Sequence, residues 1–200
     1  MFIDGVILAI LLAWLSGGDF RKLADIPLKQ VFLIVMAFGI QFGLIFSPGN
    51  SFLQAYHPYI HLGTYGLLFW VLWKNWRVVG MKLIGLGLVL NFLVIAANVG
   101  KMPVSLTAMQ GTGLDTPTIV QSLQNGQDFK HTLMTEGTRL NLLGDILYIP
   151  HYTSILSSEM WVFSIGDVLL VGGIFQMIFY YMRQGKEAKG LFRWRGQWSG

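Results

Sequence analysis

The organisation of the chain is decided between Asn98 and Asp167, a stretch that opens with NVGKMPVS (98–105), passes through LLGDILYIP (142–150) and closes with VFSIGDVLL (162–170). Four apolar segments precede it and one follows, so it is the part of the chain with room for a surface outside a membrane. Those segments run to about 18–20 residues, enough to cross a hydrocarbon layer of about 30 Å at about 1.5 Å per residue. The sequence therefore predicts an all-α fold: a polytopic membrane bundle of five transmembrane helices with a partly helical extracytoplasmic loop.

Composition agrees with that reading. Of 200 residues, 54% are hydrophobic and 12% charged, against about 25% charged in a soluble domain. The net charge of +4 arises from basic residues at the ends of apolar segments, where membrane topology accounts for them. No basic stripe exists to bind nucleic acid. With no cysteine, disulfides, iron–sulfur clusters and thiolate chemistry are excluded.

The helices are expected at about 2–16, 28–47, 58–75, 81–99 and 165–182, making a transmembrane domain of 1–183 with a loop at about 100–164 and a basic cytoplasmic tail at 184–200. The first segment lacks a basic n-region and carries Asp4, so it reads as a retained helix rather than a cleaved signal. Gly39-x-x-x-Gly43 has the spacing that lets helices approach closely in lipid, and Gly85, Ala96 and Ala97 offer small surfaces on the fourth helix. Pro58 suits the first turn of the third helix, where its missing N–H is no loss. WKNWR (73–77) reads as an interfacial anchor. Of the 14 Lys and Arg, 11 fall in GGDFRKLADIPLK (17–29), around WKNWR or in the tail. Only Lys101, Lys130 and Arg139 fall on the other side. The positive-inside rule then places the protein in the cytoplasmic membrane with its N-terminus outside and its C-terminus inside.

Within the loop, Asp115-Thr116-Pro117 before TIVQSLQNG (118–126) predicts a cap at Thr116, Pro117 at the first helical position and a stop at Gly126. Ile119, Val120 and Leu123 share a face that is expected to lie on the membrane surface or the bundle. TRLNLLGDILYIP (138–150) reads as a short helix or a re-entrant piece.

The motifs ANVGKMPVS (97–105), LLGDILYIP and VFSIGDVLL, in this order and with five spans, resemble a family of small bacterial integral-membrane proteins of unknown function. The resemblance implies the architecture and adds no catalytic residue.

Three groups of residues are candidates for chemistry. His57 and His61 are four apart, a spacing that suits a metal or haem, but Pro58 puts His57 at the expected helix boundary and no third ligand accompanies them. The bland reading is a pair of polar tips at the water interface, and neither metal nor cofactor is expected. Asp4, Asp145 and Asp167 form with Asn98, Lys101 and Arg139 the candidate ligand-binding set, a polar pocket beneath the loop. Against it, Ser164-x-x-Asp167 reads as a helix cap. Gln41, Asn91 and Gln176 are expected to make helix-to-helix hydrogen bonds. His131, Glu136, Asp145 and His151 could supply acid–base groups.

Function is left with two readings. In one, the chain is a non-catalytic accessory or assembly subunit, or a hydrophobic-ligand binder, acting through its outer cap with the bilayer and a membrane-protein partner or a second copy. In the other, it is a membrane-embedded enzyme or carrier acting on a lipid-like substrate at the outer leaflet.

Overall fold

The computed structural model describes residues 2–45, 51–125, 128–150 and 162–184. Its helices are α1 (Phe2–Leu15), α2 (Val31–Ile45), α3 (Ser51–Lys74), α4 (Met81–Ala97), α5 (Leu106–Gly111), α6 (Thr116–Gln124) and α7 (Ile165–Arg183). Four short strands, β1 (Met102–Val104), β2 (His131–Leu133), β3 (Leu147–Tyr148) and β4 (Val162–Phe163), lie between α4 and α7.

The fold is mostly helical, and each of the five apolar segments forms a helix. Their lengths correct the expectation of five spans. Among the described residues only α7, at 19 residues, is long and apolar enough to cross a membrane. The apolar helices α1, α2 and α4 have 14, 15 and 17 residues, and the 24 residues of α3 include His57, His61 and Thr64. The physical causes are specific. Gly17 at φ 77° follows the end of α1. The Asn75 side chain accepts from the Lys29 N–H at 2.7 Å and donates to the Lys29 carbonyl at 2.9 Å, so both backbone groups of Lys29 are engaged outside any helix and α2 starts later than expected. Helix α3 starts earlier, which places Pro58 inside it rather than in its first turn.

The loop also departs from an all-α fold. Strand β1 pairs parallel with β2 in the register Met102↔His131, Pro103↔Thr132 and Val104↔Leu133, and Val104 bridges to Asp145 on its other side. Strand β1 is thus a buried centre, with Pro103 still contributing its carbonyl to the Asp145 N–H at 2.9 Å. Strand β3 pairs antiparallel with β4.

Two apolar clusters hold the helices. Ala9, Ala13, Ile178 and Met182 join α1 to α7, while Tyr65, Leu88, Val94, Ile95 and Met102 join α3, α4 and β1. The closest backbone approach is between α4 and α7. A Cβ at Gly87 would strike the Gly166 carbonyl, and one at Gly80, which has φ 87°, would strike the Gly173 carbonyl. Gly87 within α4 and Gly80 at its N-cap face Gly166 and Gly173 of α7 in antiparallel register, and only hydrogen allows this approach. At Gly39 and Gly43 no atom of the described residues lies within 4 Å of an added Cβ.

Gly87→Ala and Gly166→Ala are each expected to destabilise the fold by about 1–3 kcal/mol, the usual cost of overpacking. Gly39→Ala and Gly43→Ala should instead be neutral or stabilising by up to about 1 kcal/mol, from helix propensity. Thermal melting of the four purified variants, followed by circular dichroism, checks the contrast.

Candidate functional site

Between α4 and α7 the chain builds a cap around β1. Asn98 ends α4 by donating to the Val94 carbonyl at 2.7 Å, and it reaches across to Arg139, accepting from its N–H and donating to its carbonyl, both at 2.8 Å. Pro58 fills the space beside Gly100, and the His61 Nδ1 lies 3.0 Å from the Gly100 carbonyl. Those contacts fix where β1 leaves the bundle. Ser105 caps α5, accepting from the Ala108 N–H at 3.3 Å. The cap residue of α6 is Asp115 rather than Thr116, and Asp115 accepts from the Thr118 hydroxyl at 2.6 Å. The expected stop, Gly126, lies outside the described residues.

A cavity of about 160 Å³ opens among α5, α6, β1, β2 and β4. Val104, Met109, Leu114, Ile119, Leu123 and Val162 give it apolar walls, and Thr112, Asp128, His131 and Asp145 give it a polar floor. The apolar face of α6 thus turns into this cavity, through Ile119 and Leu123, rather than only onto a membrane surface or the bundle.

The floor is an imidazole between two carboxylates. Asp128 accepts from the backbone N–H groups of Lys130 and His131 at 2.8 and 2.9 Å through one oxygen, and its other oxygen lies 2.8 Å from the His131 Nδ1. The His131 Nε2 then faces Asp145 at 3.9 Å, beyond hydrogen-bond reach. Burial works against the Asp128 charge, yet the hydrogen bond and charge of His131 and the two backbone donors hold its carboxyl well below the usual range. Burial also opposes a charged His131, but Asp128 and then Asp145 raise its pKa. Asp145, only 4% exposed, is pushed by burial from 3.8 to about 7; the charges of Asp167 and Asp128 add to this and that of His131 opposes it. His131 and Asp145 therefore stand together at the cavity, both holding their protons more tightly than the free side chains do and with no hydrogen bond between them. Such a group can bind the polar end of a ligand or transfer a proton to it.

The residues expected to share one pocket are divided. Asp145 joins His131. Asp167 belongs to the capping box of α7: Ser164 N–H donates to its carboxylate and Ser164 Oγ accepts from its N–H, both at 3.0 Å. Asn91 of α4 completes this cluster, donating to Asp167 at 2.8 Å and accepting from the Ser164 hydroxyl at 2.8 Å. Asn98 and Arg139 form the tie described above. Lys101 sits in the turn from α4 to β1, its N–H on the Asn98 carbonyl at 3.2 Å. Asp4 lies in the first turn of α1, beside Gly5, which abuts Val171 of α7.

His57 and His61 are buried rather than interfacial, at 3% and 6% exposure, with ring centroids 6.1 Å apart and His57 against Phe129 at 5.4 Å. No group of three His, Asp or Glu suited to a metal occurs among the described residues. Glu136 is exposed, and His151 lies outside the described residues. Gln41 and Asn91 do bond between helices, the former donating to Thr64 at 2.8 Å. Asp128 is absent from the candidates named above. Its signal was the Asp-x-x-His spacing, which lets a carboxylate cap the turn and meet the imidazole together.

With this geometry in place, the chain can be set beside known proteins. The sequence profile of a family of unknown function, DUF5317, matches residues 25–179. The chain belongs to that family. The matched DUF5317 region contains the whole cap and both sides of the α4–α7 contact. An uncharacterized protein of Thermotoga maritima is 32% identical over 183 residues, 92% of each chain. No solved structure matches.

The raised carboxyl of Asp145 makes the cap sensitive to pH. Its proton is held more tightly folded than unfolded, so its effect on stability is favourable at low pH and is lost as pH rises from about 4 through about 7. Asp145→Asn should remove that loss, giving greater protection than wild type at pH 8 and little difference at pH 5. Asp128→Asn, which breaks a hydrogen bond between charged groups, should cost about 2 kcal/mol at pH 6. Hydrogen exchange at the Met102 and Val104 amides reads both effects.

Proposed function

We propose that the chain is a membrane-embedded helical bundle whose cap stands outside the cytoplasmic membrane and binds a small amphipathic ligand. The apolar surface of the helices supports the membrane part. Ile3, Leu8, Leu12 and Leu15 of α1 and Phe32, Val35, Phe38 and Phe42 of α2 are all exposed, a display that water penalises by about 25 cal/mol per Å² and lipid does not. Helix α7 crosses. The shorter α1, α2 and α4 fill the same layer through local thinning of the bilayer or through flanking residues that reach to its surfaces. The distribution of Lys and Arg supports an outer cap and an inner C-terminus.

The observation that carries the ligand reading is the cavity itself: apolar walls ending on an imidazole set between two carboxylates. Its volume of about 160 Å³ equals about five waters, room for the end of a molecule rather than a whole lipid. A hydroxyl or amine on that end donates to Asp145 or meets the His131 Nε2, while its carbon chain lies against Ile119 and Leu123. An assembly role uses the same cap as its contact surface. A second reading, an enzyme acting on a lipid-like substrate, draws on the Asp128–His131 hydrogen bond, which orients Nε2 toward the cavity as a general base requires.

Native mass spectrometry of the protein released gently from its own host's membranes tests this. A defined small-molecule adduct is expected on wild type and should be lost from Leu123→Trp, which fills the cavity, with the melting temperature kept. A bare chain, or an adduct equally retained by Leu123→Trp, contradicts the ligand reading. A stoichiometric protein subunit supports assembly instead. A mass change of the adduct over time that His131→Gln abolishes supports the enzyme.

A further inference from the structure

At the end of α4 remote from the cap, a hollow of about 560 Å³ opens between the segment before α2 and the turn joining α3 to α4. Three cations line it, Lys29, Lys74 and Arg77, and Trp73, Trp76 and Tyr181 contribute its aromatic walls. The Lys74 ammonium lies 4.5 Å from the Trp73 ring centre and 4.9 Å from that of Trp70, cation–π contacts that hold it beside the Trp73 wall. Among the described residues no carboxylate pairs with any of the three cations: the ion pairs there are Lys22–Asp25 and those of His131. Three like charges around one concavity, each exposed to solvent, give it a positive potential that favours an anion and that salt weakens.

The hollow is also built rather than incidental. Asn75, 2% exposed, grips both backbone groups of Lys29 and the Val71 carbonyl. The next residue, Gln30, is held at φ 61°, a conformation that L residues rarely adopt. Buried Tyr181 of α7 backs the floor. A plain interfacial anchor needs aromatic and basic side chains at one level, but it does not need a buried amide clamping a cation-bearing loop opposite two further cations.

We propose that this hollow binds a phosphate-bearing anion, with Lys29, Lys74 and Arg77 on the phosphate oxygens and Trp73 and Trp76 flanking the group that carries it. Arg77 supplies the planar fork suited to paired phosphate oxygens, and the two lysines add point charge. An anionic lipid headgroup and a soluble phosphate present the same chemistry. The site stands independently of the cap.

The test uses the full chain in detergent micelles to which dioleoylphosphatidylglycerol or dioleoylphosphatidylcholine is added for native mass spectrometry, and inorganic phosphate for tryptophan fluorescence. Selective retention of the phosphatidylglycerol is expected. At about fivefold per neutralised charge, Lys29→Gln or Arg77→Gln alone weakens retention about fivefold and the triple variant with Lys74→Gln about a hundredfold. Arg21→Gln with Lys22→Gln, which removes cations outside the hollow, leaves it unchanged. Should the triple variant fail to fold, the single variants decide. If millimolar inorganic phosphate displaces the lipid and shifts the fluorescence, the site is one for soluble phosphate; if the lipid persists, it is a headgroup site. Equal retention of the two lipids with no response to phosphate, or retention unaffected by the single variants, overturns the proposal.

Discussion

The structure depends on one contact, the antiparallel touch of α4 and α7 at Gly80 with Gly173 and Gly87 with Gly166. Backbones this close gain dispersion contacts along the seam, and they leave no room for a side chain. At the upper end, Asn91, Ser164 and Asp167 close the seam with hydrogen bonds that also cap α7. Ser164 is fully buried and Asn91 is 5% exposed, so losing any member leaves polar groups unsatisfied in the interior. The cap follows from this joint, because β1 leaves the end of α4 and β4 leads into the start of α7.

Inside the cap, β1 is the organising strand, gripped by β2 on one side and by Asp145 on the other. That pairing delivers His131 and Asp145 to one floor. Asp128 joins them because its carboxylate closes the turn into β2. The backbone hydrogen bonds that hold the cap together are thus the ones that place its titratable groups, so that protonation and local stability are coupled there. A cavity with this floor, at one end of the bundle, and a cation-lined hollow at the other give the molecule two chemically opposite ends.

Much of this architecture was legible in the sequence. The five apolar segments and the interval at about 100–164 follow from hydropathy, and the capping of α7 by Ser164 and Asp167 follows from spacing. Helix lengths were not legible, because the side chain of Asn75 removes Lys29 from α2 across 46 positions of sequence. Gly39 and Gly43 have a recognised local spacing, but the glycines that touch are partnered across the fold, and no local pattern reveals that. The strands have two or three residues each, too few for a period of two to register. Pro58 suggested a helix start and so hid the burial of His57 and His61 inside α3. Asp145 and His131 were recognised as titratable, while Asp128 was missed because its role arises from a turn.

The absence of cysteine from the chain permits a direct test of whether the bundle is membrane-embedded with its cap outside. Single cysteines are placed at Gln121, exposed on α6, and at Gln184, exposed beyond α7, and intact cells are treated with a membrane-impermeant maleimide. Labelling is expected at Gln121→Cys in intact cells and at Gln184→Cys only after lysis, with the protein recovered in the membrane fraction. Labelling in the reverse order, or recovery of the folded protein in the soluble fraction, would contradict that arrangement.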